Sequence, residues 1–392
     1  MILKKPPMGW NSWNTFAENI NEKVVMETAD FIVESGLRDC GYEYVIIDDC
    51  WSLRERNEKG ELVPDPEKFP NGIKYVADYV HSKGLKFGMY SCVGTLTCAG
   101  YPGSLDHEFV DAKSFADWGV DYLKYDFCFH PHSTLGHFMY KRMGLALANC
   151  GRDIVFAACS WGDENTKAWI KETGAHTWRS TGDIVDSWES IKTLALDQLQ
   201  VPEYNGNGCF NDMDMLVVGM KGEGNVGVTG CTNEEYKTHF AFWAMMGSPL
   251  IIGCDLRKAD EDAMAILKNK MLIDIDTDEA YRQPFWVNGN RHFNRNRKAN
   301  DPLYEYYPLD MPIMVRMLSN GDVAIGAFNF TDDIHRTHMT LDSIGLGDCT
   351  GKTLELTNVW TGETSTVKNA TIRFELDAHC CEVYRARVVD KK

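Results

Sequence analysis

Tyr122-Leu123-Lys124-Tyr125-Asp126-Phe127-Cys128 reads as a short, mostly buried strand that ends abruptly in a carboxylate. Its continuous apolar character, rather than strict alternation, is that of a strand covered on both faces, as in parallel sheets. The same unit recurs from residue 8 to about residue 280: an apolar run, a polar or acidic end, then an amphipathic helix. Before the quoted stretch come Met8 to Trp13 with a helix from Glu22 to Cys40, Tyr44 to Ile47 ending in Asp48-Asp49 with a helix from Gly72 to His81, and Lys86 to Tyr90 with a helix from Phe109 to Trp118. After it come a helix from Leu135 to Ala148, then Ile154 to Cys159 with a short helix near Lys167 to Glu172, and His176 to Arg179. Asp186 and Glu189 have the spacing of a capping box for the next helix. Phe210 to Met215 with a helix from Glu234 to Met246, and Leu250 to Asp255 with one from Asp260 to Lys270, complete the series. Eight strands alternating with eight helices over roughly 250 residues predict a (β/α)8 barrel, the TIM-barrel architecture. An open doubly wound sheet is the competing reading, but no glycine-rich phosphate loop follows the first strand.

After Tyr281 the texture changes. Alternating runs at Met314 to Met317, Val323 to Phe328, Leu354 to Leu356 and Cys381 to Tyr384 are separated by Asn320-Gly321-Asp322 and Thr361-Gly362-Glu363. They predict an antiparallel β-sandwich. The expected division is a catalytic barrel over 1–285, a polar, Asn-rich linker or insertion over 286–301, and the sandwich over 302–392.

A chain of 392 residues is long enough for two cores, and 44% hydrophobic with 25% charged residues is ordinary for a globular protein. The net charge of −17 argues against nucleic acid, which needs a positive face. The basic cluster Arg291, Arg295, Arg297 and Lys298 lies among Asn residues and reads as a solvated loop. The longest apolar run, Phe240 to Cys254, is interrupted by Gly247-Ser248-Pro249 and is too short to span a membrane. No signal peptide is visible at the start, so a cytoplasmic location is expected. The thirteen scattered cysteines do not form a small disulfide framework. A homo-oligomer is left open.

In a barrel the chemistry lies at the carboxyl ends of the strands. Those ends carry Trp13, Asp48, Asp49, Tyr90, Lys124, Asp126, Ser160, Trp161, Arg179, Asp183, Asp212 and Asp255. Carboxylates with aromatics suit a neutral polyhydroxyl ligand: the carboxylates accept hydroxyl protons and a tryptophan face covers the C–H surface of a sugar. Lys124, two positions before Asp126, shares its face of the strand and should keep that carboxylate ionised, as a nucleophile requires. Asp183 is left without a capping task, and Trp178 or Trp188 could raise its pKa for acid/base work. Strands four and six can bring the two carboxylates across one mouth, at the about 5–5.5 Å a retaining glycosidase needs. A metal held by His130 and His132 near Asp126 is the rival, but no histidine pair of ligand spacing ends a strand; no metal and no cofactor are expected.

The motifs Pro7 to Trp13, Ile47 to Trp51, Gly88-Met89-Tyr90, Thr97 to Ser104, Lys124 to Cys128, Trp178-Arg179 through Gly182-Asp183-Ile184, and Asn211 to Met215 together resemble glycoside hydrolase family 27 over nearly the whole chain. That family comprises retaining α-galactosidases and α-N-acetylgalactosaminidases. The resemblance implies Asp126 as nucleophile and Asp183 as general acid/base. It also implies Trp13, Asp48, Asp49, Tyr90, Lys124, Ser160, Trp161, Arg179 and Met215 as the lining for the terminal sugar, with Asp48 and Asp49 reading the 4- and 6-hydroxyls, and Cys98 with Cys128 as a disulfide. One departure stands out: Ser160 occupies a place where galactosidases of the family carry Glu, and a smaller residue would leave room for an acetamido group. The small residue that accompanies such a Ser is absent, Asp163 standing there. The expected function is α-galactosidase, with α-N-acetylgalactosaminidase or β-L-arabinopyranosidase as alternatives. An inactive sugar-binding barrel is the alternative of another class, against which both carboxylates and Lys124 speak.

Overall fold

The computed structural model describes residues 3–199, 205–206, 208–287 and 311–391. Its chain forms two compact units. The first holds most of the chain to Leu194, resumes through Cys231 and includes Ser248–Lys268. Eight short parallel strands make its sheet: β1 Met8–Asn11, β2 Tyr44–Ile46, β3 Lys86–Cys92, β4 Tyr122–Asp126, β5 Val155–Cys159, β6 Thr177–Arg179, β7 Phe210–Asp212 and β8 Leu250–Ile252. Their order, β7-β6-β5-β4-β3-β2-β1-β8, is that of a barrel. The chain just past β7 closes the ring: Leu216 N donates to Ile251 O (2.7 Å) and Gly253 N to Leu216 O (2.9 Å).

The register stacks the chemistry in layers. Cys92, Asp126, Cys159, Arg179 and Asp212 pair across β3 to β7, one residue per strand. Side chains alternate along a strand. Tyr125, between Lys124 and Asp126, is therefore turned to the helical layer, against Tyr140 and Phe156.

Helices follow where apolar spacing predicts them, at Glu22–Glu34, Ile73–Ser82, Glu108–Trp118, Gly136–Ala148 and Trp188–Gln198. Between β5 and β6 the expected helix is instead two 3-10 turns, Asp163–Ala168 and Ile170–Thr173. Trp161, Gly162, Glu164 and Asn165 all have positive φ there, which no α-helix accommodates. The expected capping role of Asp186 also fails. Its carboxylate accepts from Gly222 N (2.6 Å), while Ser187 Oγ accepts from Ser190 N (3.3 Å) and caps the helix.

The second unit joins Thr232–Gly247 with the chain from Asn269 onward. Among the described residues its strands are β9 Phe285–Trp286, β10 Ile313–Met317, β11 Val323–Phe328, β12 His335–Thr340, β13 Lys352–Asn358, β14 Thr364–Thr366, β15 Thr371–Leu376 and β16 Cys381–Asp390. They form a six-stranded antiparallel sheet, β14-β13-β16-β11-β10-β9, and a two-stranded one, β12-β15. Ile313, Val315, Ile325, Leu354, Ile372 and Phe374 belong to the core between them. Trp286, expected in the linker, pairs with Met314 in β9. The rest of that linker, with Arg291, Arg295, Arg297 and Lys298, lies outside the described residues. The Asn233–Met246 helix starts in a Thr232–Glu235 capping box and packs Phe242 edge-on against Phe328 and Phe330. No helix among the described residues is long and apolar enough to cross a membrane.

Candidate active site

Asp126 ends β4 and is 6% exposed. Its Oδ2 accepts from the Tyr90 hydroxyl (3.1 Å) and its Oδ1 from Phe127 N (2.9 Å). Burial pushes its carboxyl above the usual aspartate value, with the charges of Lys124 and Arg179 pulling the other way. Lys124 does lower this carboxyl, as its place on the strand led one to expect, but burial outweighs it and the net direction is upward. The ammonium is directed at Asp48 Oδ2 (2.7 Å), an oxygen that also accepts from Asn11 Nδ2 (2.8 Å). A shared strand face does not decide which carboxylate the long lysine reaches.

Asp48 and Asp49, in succession after β2, are both buried. Asp48 is fixed as described, its own N–H donating to Ser12 Oγ (3.0 Å). Asp49 accepts from Cys50 N (2.7 Å) and Ala99 N (2.9 Å), and burial pushes its carboxyl up to about 6. Ala99 belongs to the loop after β3, which Cys98 ties to Cys128 beyond β4 through a disulfide. Gly94 in that loop could not be another residue, since a Cβ would lie 2.1 Å from Cys128 O. Sulfur and carboxylate atoms of Cys98, Cys128 and Asp126 lie within 4.8 Å of one another, but the two sulfurs are spent on their mutual bond. His130 stacks on Phe127 at 4.0 Å and meets His132 edge-on.

Arg179, the last residue of β6, is 3% exposed. Its Nε donates to Thr181 O (3.2 Å), its Nη2 to Asp183, and its Nη1 lies 3.3 Å from Asp214 Oδ1. Asp183 stands on the same rim as Asp126, its side chain 67% exposed. Partial loss of water on the side facing the protein would raise its carboxyl, but the charge and hydrogen bond of Arg179, with Lys124 behind them, hold it below the ordinary value. The raised value expected from Trp178 or Trp188 is therefore not found. Trp178 precedes Arg179 on the strand and so lies on the opposite face.

Trp13 is half-buried, its N–H held by Asn11 Oδ1 (2.8 Å). Met215 lines a small cavity of about 20 Å³ with Asn11, Lys124, Arg179, Asp212 and Asp214. Trp161 sets its ring edge-on to Phe127. Ser160 departs from expectation: it is 0% exposed, its hydroxyl 2.7 Å from Thr166 Oγ1, because a buried hydroxyl needs a partner and this loop supplies one. Asn11 and Asp214 are site residues that the sequence pattern does not single out, and Asp212 enters from it only as a strand end. Burial, then the charge of Asp214, pushes the Asp212 carboxyl up to about 6. The i, i+2 spacing of Asp212 and Asp214 was the available signal.

Residues 5–278 match the family described as alpha galactosidase A, and residues 310–386 match the alpha galactosidase C-terminal beta sandwich domain. The α-galactosidase of Cyamopsis tetragonoloba is 40% identical over 97% of this chain and 85% of its own. The crystal structure of α-galactosidase I from Mortierella vinacea superposes with a TM-score of 0.84 at 30% identity, covering 97% of this chain and 96% of the other. That of the Saccharomyces cerevisiae α-galactosidase with raffinose gives 0.83 at 29%, covering 98% of each. With a barrel, a sandwich and both domain matches in sequence order, the chain belongs to the α-galactosidase family, glycoside hydrolase family 27.

Proposed function

We propose that the protein is an α-galactosidase that removes terminal α-linked galactose from oligosaccharides or glycoconjugates with net retention. Asp126 attacks the anomeric carbon as the glycosidic C–O bond breaks, and Asp183 gives its proton to the departing oxygen. Water then yields a proton to Asp183 while its oxygen displaces Asp126 from the sugar. The observation that carries this reading is Asp126 at the end of β4 and Asp183 four residues beyond β6 on the same rim, with Arg179 of β6 donating to Asp183. The Tyr90 hydroxyl keeps Asp126 oriented. Asp48, Asp49 and Trp13 take the sugar's hydroxyls and C–H face. No cofactor takes part.

The domain division proposed is a barrel that ends by residue 278 and a sandwich whose first strand is β9 at Phe285–Trp286. A cytoplasmic location is supported by eleven free thiols beside the single Cys98–Cys128 bridge. No nucleic acid or membrane partner is assigned. The Ser160 hydroxyl, closed onto Thr166, lends the N-acetylgalactosaminide alternative no support.

Hydrolysis of raffinose followed by proton NMR tests the proposal: α-galactose should appear first and mutarotate later, whereas β-galactose appearing first would reject retention. Asp126→Ala should lower kcat/KM by a factor on the order of 10⁴ or more with an unchanged circular-dichroism spectrum. Across nitrophenyl α-galactoside, α-N-acetylgalactosaminide and β-L-arabinopyranoside, the first should be cleaved fastest.

A further inference from the structure

Arg179 is held by two carboxylates of different character. Asp183 is largely exposed; Asp214 is 4% exposed and lies in the chain after β7. Asp214 does more than balance charge. Its Oδ1 faces Arg179 Nη1 at 3.3 Å while its Oδ2 accepts from Ile184 N at 2.7 Å, and Ile184 is the residue directly after Asp183. One side chain thus fixes both the cation that Asp183 contacts and the backbone that carries Asp183. Asp214 adopts φ 78°, a left-handed conformation that aspartate and asparagine tolerate better than bulkier residues.

We propose that Asp214 is a positioning residue for the reaction: it shares Arg179 with Asp183, so that the cation is only partly committed to the acid/base carboxylate and Asp183 can carry a proton to the leaving oxygen. The proposal rests on the acid/base reading of Asp183 given above. A carboxylate facing an undivided guanidinium is held as the anion and makes a poor acid, whereas a second anion on the same cation relieves that hold. The other charged or titratable groups around the pair are Lys124 and Asp126 on β4, Cys159 on β5, Asp212 on β7 and Asp48 after β2. Among these, Lys124 is already engaged by Asp48 and Cys159 is a thiol 3.5 Å from Arg179 Nη1. Neither takes the place of an anion on the guanidinium.

The test is the pH profile of kcat/KM for the full-length enzyme and its Asp214→Asn variant, on raffinose and on 4-nitrophenyl α-galactoside. The amide oxygen of that variant can still accept from Ile184 N, so the charge is removed and the tether kept. The basic limb, which reports loss of the Asp183 proton, should move toward acid by about one pH unit. The loss near neutral pH should be several-fold larger for raffinose, whose sugar leaving group needs the proton, than for the activated nitrophenyl substrate. A loss equal at every pH and for both substrates, with the basic limb unmoved, would overturn the proposal. Asp214→Ser is judged by the same criterion and replaces Asp214→Asn should the latter not fold. Asp183→Asn should abolish the basic limb; a limb that persisted there would reject the acid/base assignment itself, independently of Asp214.

Discussion

Asp49 shows how burial sets the chemistry of a single residue. Its carboxyl is pushed up to about 6, so near neutral pH it is an anion that can accept hydroxyl protons, and in acid it is not. Galactose should therefore bind more tightly as pH rises through about 6, and Asp49→Asn should flatten that dependence in isothermal titration. The stability consequence has the opposite sense. The folded carboxyl stands above the ordinary 3.8, so the folded chain holds this proton more tightly than the unfolded one. That contribution is present below pH 3.8 and lost as pH rises through about 6; Asp212 adds another of the same sign. Denaturant midpoints at pH 4 and pH 7 should differ less in Asp49→Asn than in the wild type. That acidic residues would crowd these strand ends was legible in the sequence. Which cation meets which carboxylate was not: strand alternation sets only the face, and the reach of Lys124 to Asp48 depends on a neighbour two strands away.

At the scale of elements, the strands were legible because burial on both faces leaves continuous apolar runs. The connection from β5 to β6 was not, because it has no apolar period and is held by particular bonds, such as Gly136 N to Glu164 Oε2 (2.7 Å) and Trp169 Nε1 to Glu164 O (2.9 Å). The loop after β3 depends on a covalent tie instead. Cys98 and Cys128 are 30 residues apart. Opening a loop of that length by the double substitution Cys98→Ser, Cys128→Ser should cost about 2–4 kcal/mol in chemical denaturation. Ala99, which donates to Asp49, follows Cys98 directly, so KM for galactosides should rise in the same variant.

For the whole molecule, two architectures in series were legible from the change of texture near Tyr281. The grouping of the Asn233–Met246 helix with the second unit was not, since its sequence places it between two barrel strands. Its residues are buried nearly all round, so amphipathic spacing gave no hint of a neighbour. Phe242→Ala, which removes a ring fully buried against Phe328 and Phe330, should destabilise the protein by about 3–5 kcal/mol in chemical denaturation.

Leu216 gives the ring a weak point. Around the rest of the circumference neighbouring strands share ladders of paired residues, whereas among the described residues the β7–β8 side carries the Leu216 bridge and a bond from Met213 N to Ser248 Oγ (3.0 Å) in place of a ladder. A hoop held there by so few rivets breathes at that side before it fails elsewhere. In deuterium-labelling mass spectrometry, the Leu216 and Gly253 amides should take up label ahead of those in β3 and β4, and Leu216→Pro, which deletes one rivet, should spread that early uptake along β8.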